Sequence, residues 1–117
     1  MDKVYEAALL LDFYGQLLTK RQFEILDFYL NNDYSLAEIA EQLNISRQGV
    51  YDNIKRGRAM LDRMEEKLGL VHKFLQQKDI ALEILNDIKS IDVSNMSVED
   101  AETLKRVEEK IGKIVES

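Results

Sequence analysis

The 117-residue chain has no cysteine and no proline, and it holds a single histidine and five glycines. Without cysteine there is no disulfide framework and no thiolate to act as ligand or nucleophile, which fits a reducing compartment. With His72 as the lone imidazole, a histidine metal cluster or a Ser-His-Asp triad has one candidate member and no companions. His72 therefore reads as an ordinary helix-surface or interface residue. The glycines, at positions 15, 49, 57, 69 and 112, stand singly and build no loop able to cradle a phosphate. Glu65-Glu66 and Glu108-Glu109 are adjacent, so neither pair converges on one helix face as general acid and base would. Long apolar runs are missing too. The longest, Ala7 to Leu11, is far short of a membrane span, and no basic leader with a cleavage site precedes it. The expectation is a cytoplasmic protein with no membrane partner, no enzymatic activity, no metal and no cofactor.

What is present is a helix-forming composition rich in Leu, Ile, Glu, Lys, Gln and Ala, which predicts an all-α fold. A domain of this size buries roughly two-thirds of its unfolded surface and can fold without staples. The net charge of −6 argues against a protein that coats DNA, since such proteins depend on neutralised phosphates. Its distribution says more. Residues 1–45 carry three basic and eight acidic side chains, residues 64–117 eight and twelve, but residues 46–63 carry five and two. One short basic segment lies inside an acidic protein.

Along the chain, Val4, Ala8, Leu11, Gly15 and Leu18 recur at helical spacing and predict a first helix from about Lys3 to Leu18. Its other face, with Leu10, Phe13, Tyr14 and Leu17, is also apolar, so the helix should be covered on two sides, by its own domain and by a second subunit. Thr19 reads as the cap of a second helix that stops at Asn31-Asn32-Asp33. Ser35 with Glu38 is a capping-box pattern opening a short helix, Leu36 to Leu43. Ser46 caps the next, in which Val50, Ile54, Gly57, Leu61, Met64 and Leu68 form one stripe as far as Gly69. A further helix carries Val71, Phe74, Leu75, Ala81 or Leu82, Leu85 and Ile88, interrupted by Lys78. Ser90 to Ser97 reads as a linker. Ser97 with Asp100 then caps a charged terminal helix with an apolar seam at Ala101, Leu104, Val107, Ile111 and Ile114. Of the nine aromatic residues, most fall on core-facing stripes, leaving Tyr51 as the one that either faces a ligand or packs on a neighbouring helix.

The spacing Ala40, Asn44, Val50 carries the functional reading. Two helices that cross steeply through a short turn need a small residue at the approach, a turn former at the corner and an aliphatic residue on the inner face of the second helix. Those three residues supply them in order, with Ile39, Leu43, Ile45 and Ile54 as further core. Thr19 to Leu61 is thus a helix-turn-helix module. With Val50 and Ile54 inward, the second helix turns Arg47, Gln48, Tyr51, Asp52 and Lys55 outward, and Arg56, Arg58 and Arg63 extend its basic character. Such a face enters a major groove with Gln48 suited to adenine and Arg47 to guanine or phosphate. Asp52 fits this only if it accepts from cytosine or pairs internally with Lys55 or Arg56. The same trihelical unit can also serve as a protein-binding surface alone.

Thr19 to Leu61 resembles the C-terminal promoter-reading module of bacterial sigma factors. A closer resemblance rests on Asp12-Phe13-Tyr14-Gly15, Leu17-Leu18-Thr19, Gln22, Asp33-Tyr34-Ser35-Leu36, Glu38-Ile39-Ala40 and Ser46 to Ile54. Over about residues 3–90 these are similar to the YlxM-like, or UPF0122, family of Gram-positive bacteria. The resemblance implies a helix-turn-helix protein with a sigma-like fold; joined to the helices read above, it gives an all-α, sigma-region-4-like or winged-helix-like three-helix core with a long recognition helix and a C-terminal helical extension. It also implies a gene beside that of the signal recognition particle GTPase and a role in that particle's pathway. The expected division is a helix-turn-helix domain, residues 1–69, and an extension, residues 70–117, packing on the core or on a second subunit. Two functions follow. One is a regulatory protein accessory to the particle's GTPase or RNA. The other is a sequence-specific DNA-binding transcriptional regulator acting as a homodimer. In both, Arg47, Gln48, Tyr51, Asp52, Lys55, Arg56 and Arg58 are the candidate nucleic-acid-binding residues.

Overall fold

The computed structural model describes residues 3–116. About 84% of the described residues are helical, and no strand occurs among them, so the helical core carries no wing there. Helix α1 spans Lys3–Tyr14, α2 Lys20–Asn31, α3 Leu36–Leu43, α4 Arg47–Leu68, α5 Leu70–Lys89 and α6 Val98–Glu116. Two compact units divide between Val71 and His72.

In the first unit α2, α3 and α4 each begin where a side chain can satisfy free N–H groups. Thr19 accepts from the Gln22 N–H while the Gln22 side chain accepts from the Thr19 N–H, both at 3.1 Å. Ser35 and Glu38 repeat this reciprocal pair, and the Ser35 N–H holds the Glu38 carboxyl below its ordinary range. Ile25, Ile39, Ala40 and Val50 form the centre of the core, bringing α2, α3 and the start of α4 together. Phe28 and Tyr34 stack at its edge with ring centroids 4.8 Å apart. Further along, a Cβ on Gly57 would lie 2.7 Å from Leu26 Cδ1, so α4 approaches α2 closely only because that side chain is absent.

The first helix departs from its expected extent. It is α-helical only to Tyr14 and then tightens into a 3-10 turn, Gly15–Leu17, closed by the Leu18 N–H on the Gly15 carbonyl. A Cβ on Gly15 would stand 2.8 Å from the Phe23 ring, so this turn is where α2 packs back on α1. The faces differ as well. Leu10 and Tyr14 are buried with Ala7, Leu9 and Leu11, whereas Val4, set on the inward stripe by its spacing, is exposed. Leu9 lies across the helix from Ala7 and is also buried, so this chain alone covers much of both sides.

At the end of α4, Gly69 adopts the left-handed conformation and its N–H closes on the Glu65 carbonyl. Glu65 then caps α5. Its Oε1 accepts from the Val71 N–H at 3.0 Å and from the Tyr14 hydroxyl at 2.7 Å, and the same hydroxyl accepts from the Leu70 N–H at 3.0 Å. Burial, followed by the bond to Glu65, pushes the Tyr14 phenol up from its ordinary value.

In the second unit, the Lys78 ammonium that interrupts the α5 stripe lies 5.5 Å from the centroid of the Phe74 ring. Ser97 caps α6 by accepting from the Asp100 N–H. The seam of α6 runs in a different register from the expected one. Ala101, Leu104, Glu108, Ile111 and Val115 are half-buried, while Val107 and Ile114 are exposed. Alternating steps of three and four hold a stripe on one face, whereas two consecutive steps of three carry Val107 off it.

Tyr14→Phe should destabilise the first unit by roughly 1–3 kcal/mol, because the Leu70 N–H and Glu65 both lose a buried partner. The raised folded-state pKa means that the protonated phenol contributes stability below the unfolded tyrosine value, lost as pH rises through the folded value. Urea unfolding followed from neutral to alkaline pH should therefore show a shallower alkaline decline for the variant than for the native chain.

Candidate nucleic-acid interface

The corner between α3 and α4 is built from a left-handed asparagine. Asn44 has φ 56° and ψ 47°; its N–H reaches back to Glu41 O, and the Ile45 N–H to Ala40 O at 3.1 Å. This paired closure satisfies the last carbonyls of α3 and reverses the chain within three residues. Ser46 then accepts from the Gly49 N–H at 2.9 Å and starts α4. Val50 is fully buried and Ile54 half-buried, so the phase of the second helix is fixed.

That phase lays the candidate residues out in two rows. Arg47, Tyr51 and Lys55 follow one another at four-residue intervals, and Gln48, Asp52 and Arg56 form the adjacent row, each covering about 12 Å of helix. Arg47, Gln48, Lys55 and Arg56 are exposed, and Tyr51 is 49% exposed. No described residue hydrogen-bonds to or ion-pairs with the side chain of Arg47, Lys55 or Arg56.

Two side chains have partners that their spacing did not indicate. Asp52 pairs with neither Lys55 nor Arg56; it is half-buried and accepts from Gln48 Nε2 at 3.1 Å. Gln48 and Arg56 each lie one turn from Asp52 along the same row, so the choice of the amide rests on side-chain rotamers. Arg58 is not a free cation, since its Nε lies 3.1 Å from Asp62 Oδ1 one turn on. An exposed pair of this kind is worth at most about 1 kcal/mol, so a phosphate can displace Asp62. Asn53, absent from the candidate set, donates from Nδ2 to the Gly49 carbonyl at 2.8 Å and braces the first turn of α4.

Tyr51 is exposed, and it is joined by aromatic residues whose spacing sets them on core-facing stripes. Tyr5, Phe13, Phe23 and Tyr29 are each 40% exposed or more. Among the described residues no group of three His, Cys, Asp or Glu could hold a metal ion, and no helix is long and apolar enough to cross a membrane.

The family model described as "Putative helix-turn-helix protein, YlxM / p13 like" matches residues 1–104. The chain belongs to the UPF0122 family. A UPF0122 protein of Acetivibrio thermocellus is 89% identical to it over the full length of both. One from Thermoanaerobacter sp. is 49% identical over 105 residues, covering 86% of this chain and 84% of the relative. Another, from Listeria welshimeri, is 40% identical over 92% of this chain and 98% of its own length. The UPF0122 match reaches into α6, beyond residue 90 where the resemblance read from the motifs ends.

In this UPF0122 protein the corner tolerates only residues at ease with positive φ. Asn44→Gly should leave urea stability nearly unchanged, while Asn44→Val should cost roughly 1–2 kcal/mol, from the clash of a side chain forced into the left-handed region.

Proposed function

We propose that this UPF0122 protein is a regulatory helix-turn-helix protein that engages a nucleic acid through the Arg47 to Arg56 face of α4. The observation that carries this is the pair of exposed rows in which Arg47, Lys55 and Arg56 have no internal partner. Cations left free at the start of a second helix are suited to phosphate contacts, which supply most of the affinity of such complexes. Arg58, within reach of the same surface, exchanges Asp62 for a phosphate.

The acidic remainder of the chain and Asp52 inside the rows limit general affinity, so the face selects rather than coats. The resemblance to YlxM-like proteins makes the signal recognition particle the preferred setting, with the particle's RNA, or its GTPase, as the ligand. A helical RNA is read through its shape, its phosphates and its 2′-hydroxyls, which suits a face with more cations than base-reading groups.

Sequence-specific DNA binding by a homodimer is the second reading, and one observation favours it. Asp52 orients the Gln48 amide while leaving its carbonyl and second N–H for an adenine edge. A dimer of this kind sets its two α4 helices about 34 Å apart, or at a multiple of that distance.

Fluorescence anisotropy with a hairpin of the particle's RNA, a selected DNA duplex and a scrambled duplex separates these readings. Arg47→Glu with Lys55→Glu should weaken RNA binding by about tenfold or more and flatten the salt dependence by about 0.7 to 0.9 for each phosphate no longer neutralised. Unchanged affinity overturns the nucleic-acid reading, and retention of the GTPase alone in a parallel pull-down assigns the face to protein. Asp52→Asn should tighten binding by roughly fivefold at low salt, because a carboxylate within about 4 Å of a phosphate costs on the order of 1 kcal/mol even in water. The gain should shrink as salt rises.

A further inference from the structure

A groove between α1 and α2 lies apart from the α4 face. Its lining residues are Leu11, Asp12 and Gln16 from α1 and the turn that follows it, with Phe23, Asp27 and Asn31 from α2. The three α2 residues succeed one another at four-residue intervals, so the groove runs for about 12 Å along that helix, two turns. The Phe23 ring supplies its apolar surface, over a floor closed by the buried Leu11. Phe23 is held there by Gly15, whose missing Cβ makes room for the ring, and yet it remains 40% exposed.

The rim carries one sign of charge. Asp12 has no partner among the described residues, and Asp27 accepts only an amide, from Asn31 Nδ2 at 2.8 Å. Among the described residues no lysine or arginine pairs with either, although both carboxylates flank apolar surface. The surrounding segment, residues 1–45, holds eight acidic side chains against three basic.

We propose that this groove docks a basic amphipathic helix of a partner protein, its apolar face against the half-exposed Phe23 ring and its lysines or arginines against Asp12 and Asp27. An apolar floor gives such a site its affinity, and the carboxylate rim determines which partner is accepted. The site stands independently of the nucleic-acid reading, because none of its residues belongs to α4. The chain would then join a phosphate-bearing ligand on one surface to a cationic protein segment on another.

The test uses the full chain and a labelled model helix of about 18 residues with leucines on one face and lysines on the other, beside a counterpart with glutamates replacing the lysines. Anisotropy should show saturable one-to-one binding of the lysine peptide and none of the glutamate peptide. Asp12→Lys with Asp27→Lys should weaken that binding by about tenfold or more, whereas Glu99→Lys with Glu102→Lys, an equal change of net charge on α6, should weaken it by less than about threefold. Asp12→Asn with Asp27→Asn, milder for folding, should give an intermediate loss, and circular dichroism checks that each variant keeps its helices. Arg47→Glu with Lys55→Glu, which tests the nucleic-acid reading, should leave peptide binding intact. Equal losses from the groove and α6 charge reversals would reduce the effect to general attraction and overturn the proposal. So would an absence of saturation, or sedimentation showing that a second copy of the chain fills the groove through its own α4 cations.

Discussion

The reversal at Asn44 is the constraint on which the rest of the first unit depends. One left-handed residue, closed by N–H groups reaching back into α3, fixes the angle at which α4 leaves. Ala40 permits the close approach, and Val50 seals it against Ile25 and Ile39. Since successive residues of a helix are about 100° apart, a slip of one position at this corner would swing Tyr51 toward the core and Val50 toward solvent. The exposed rows on α4 are thus a consequence of the turn. The basic residues have a common face because Val50 and Ile54 have an inner one.

Much of this is legible in the sequence because it rests on local rules. Ser35 with Glu38, Ser46, Ser97 with Asp100, Asn44 and Gly69 each announce a helix boundary by chemistry that acts over three or four residues, and each performs it in the structure. The first helix is harder to read for a physical reason. With apolar residues on nearly every side, periodicity has no phase to report, so spacing sets Val4 inward and Tyr14 outward when the reverse holds. The aromatic residues follow the same lesson. Tyr5, Phe13, Phe23 and Tyr29 lie on or beside apolar stripes and still keep much of their surface in solvent, because a stripe specifies direction and not depth.

Partnerships between side chains are the least legible. Nothing in the spacing of residues 46–63 decides whether Asp52 turns to Lys55, Arg56 or Gln48, since all lie within about one turn and the choice rests on rotamers. The bond of Tyr14 to Glu65 spans 51 positions and depends on α1 having already packed against α4. It ties the first helix to the start of α5 through one hydroxyl that donates and accepts at once. A tyrosine in an apolar helix gives no hint of this, because the polar atom becomes useful only where the fold brings a carboxylate to it.

Electrostatics sets the final limit on how such a surface can work. The free cations of α4 are few, and carboxylates are more numerous elsewhere in the chain, so at physiological ionic strength, where charges interact over about 8 Å, a distant phosphate meets little net attraction. Only a ligand already seated on α4 brings its phosphates within reach of Arg47, Lys55 and Arg56. On the proposed reading, discrimination would therefore fall to fit at short range, to the Gln48–Asp52 pair and to whatever shape lies across Tyr51, rather than to long-range steering. On that reading such a protein would spend little time on bulk nucleic acid, which is the behaviour a selective regulator requires and a packaging protein does not.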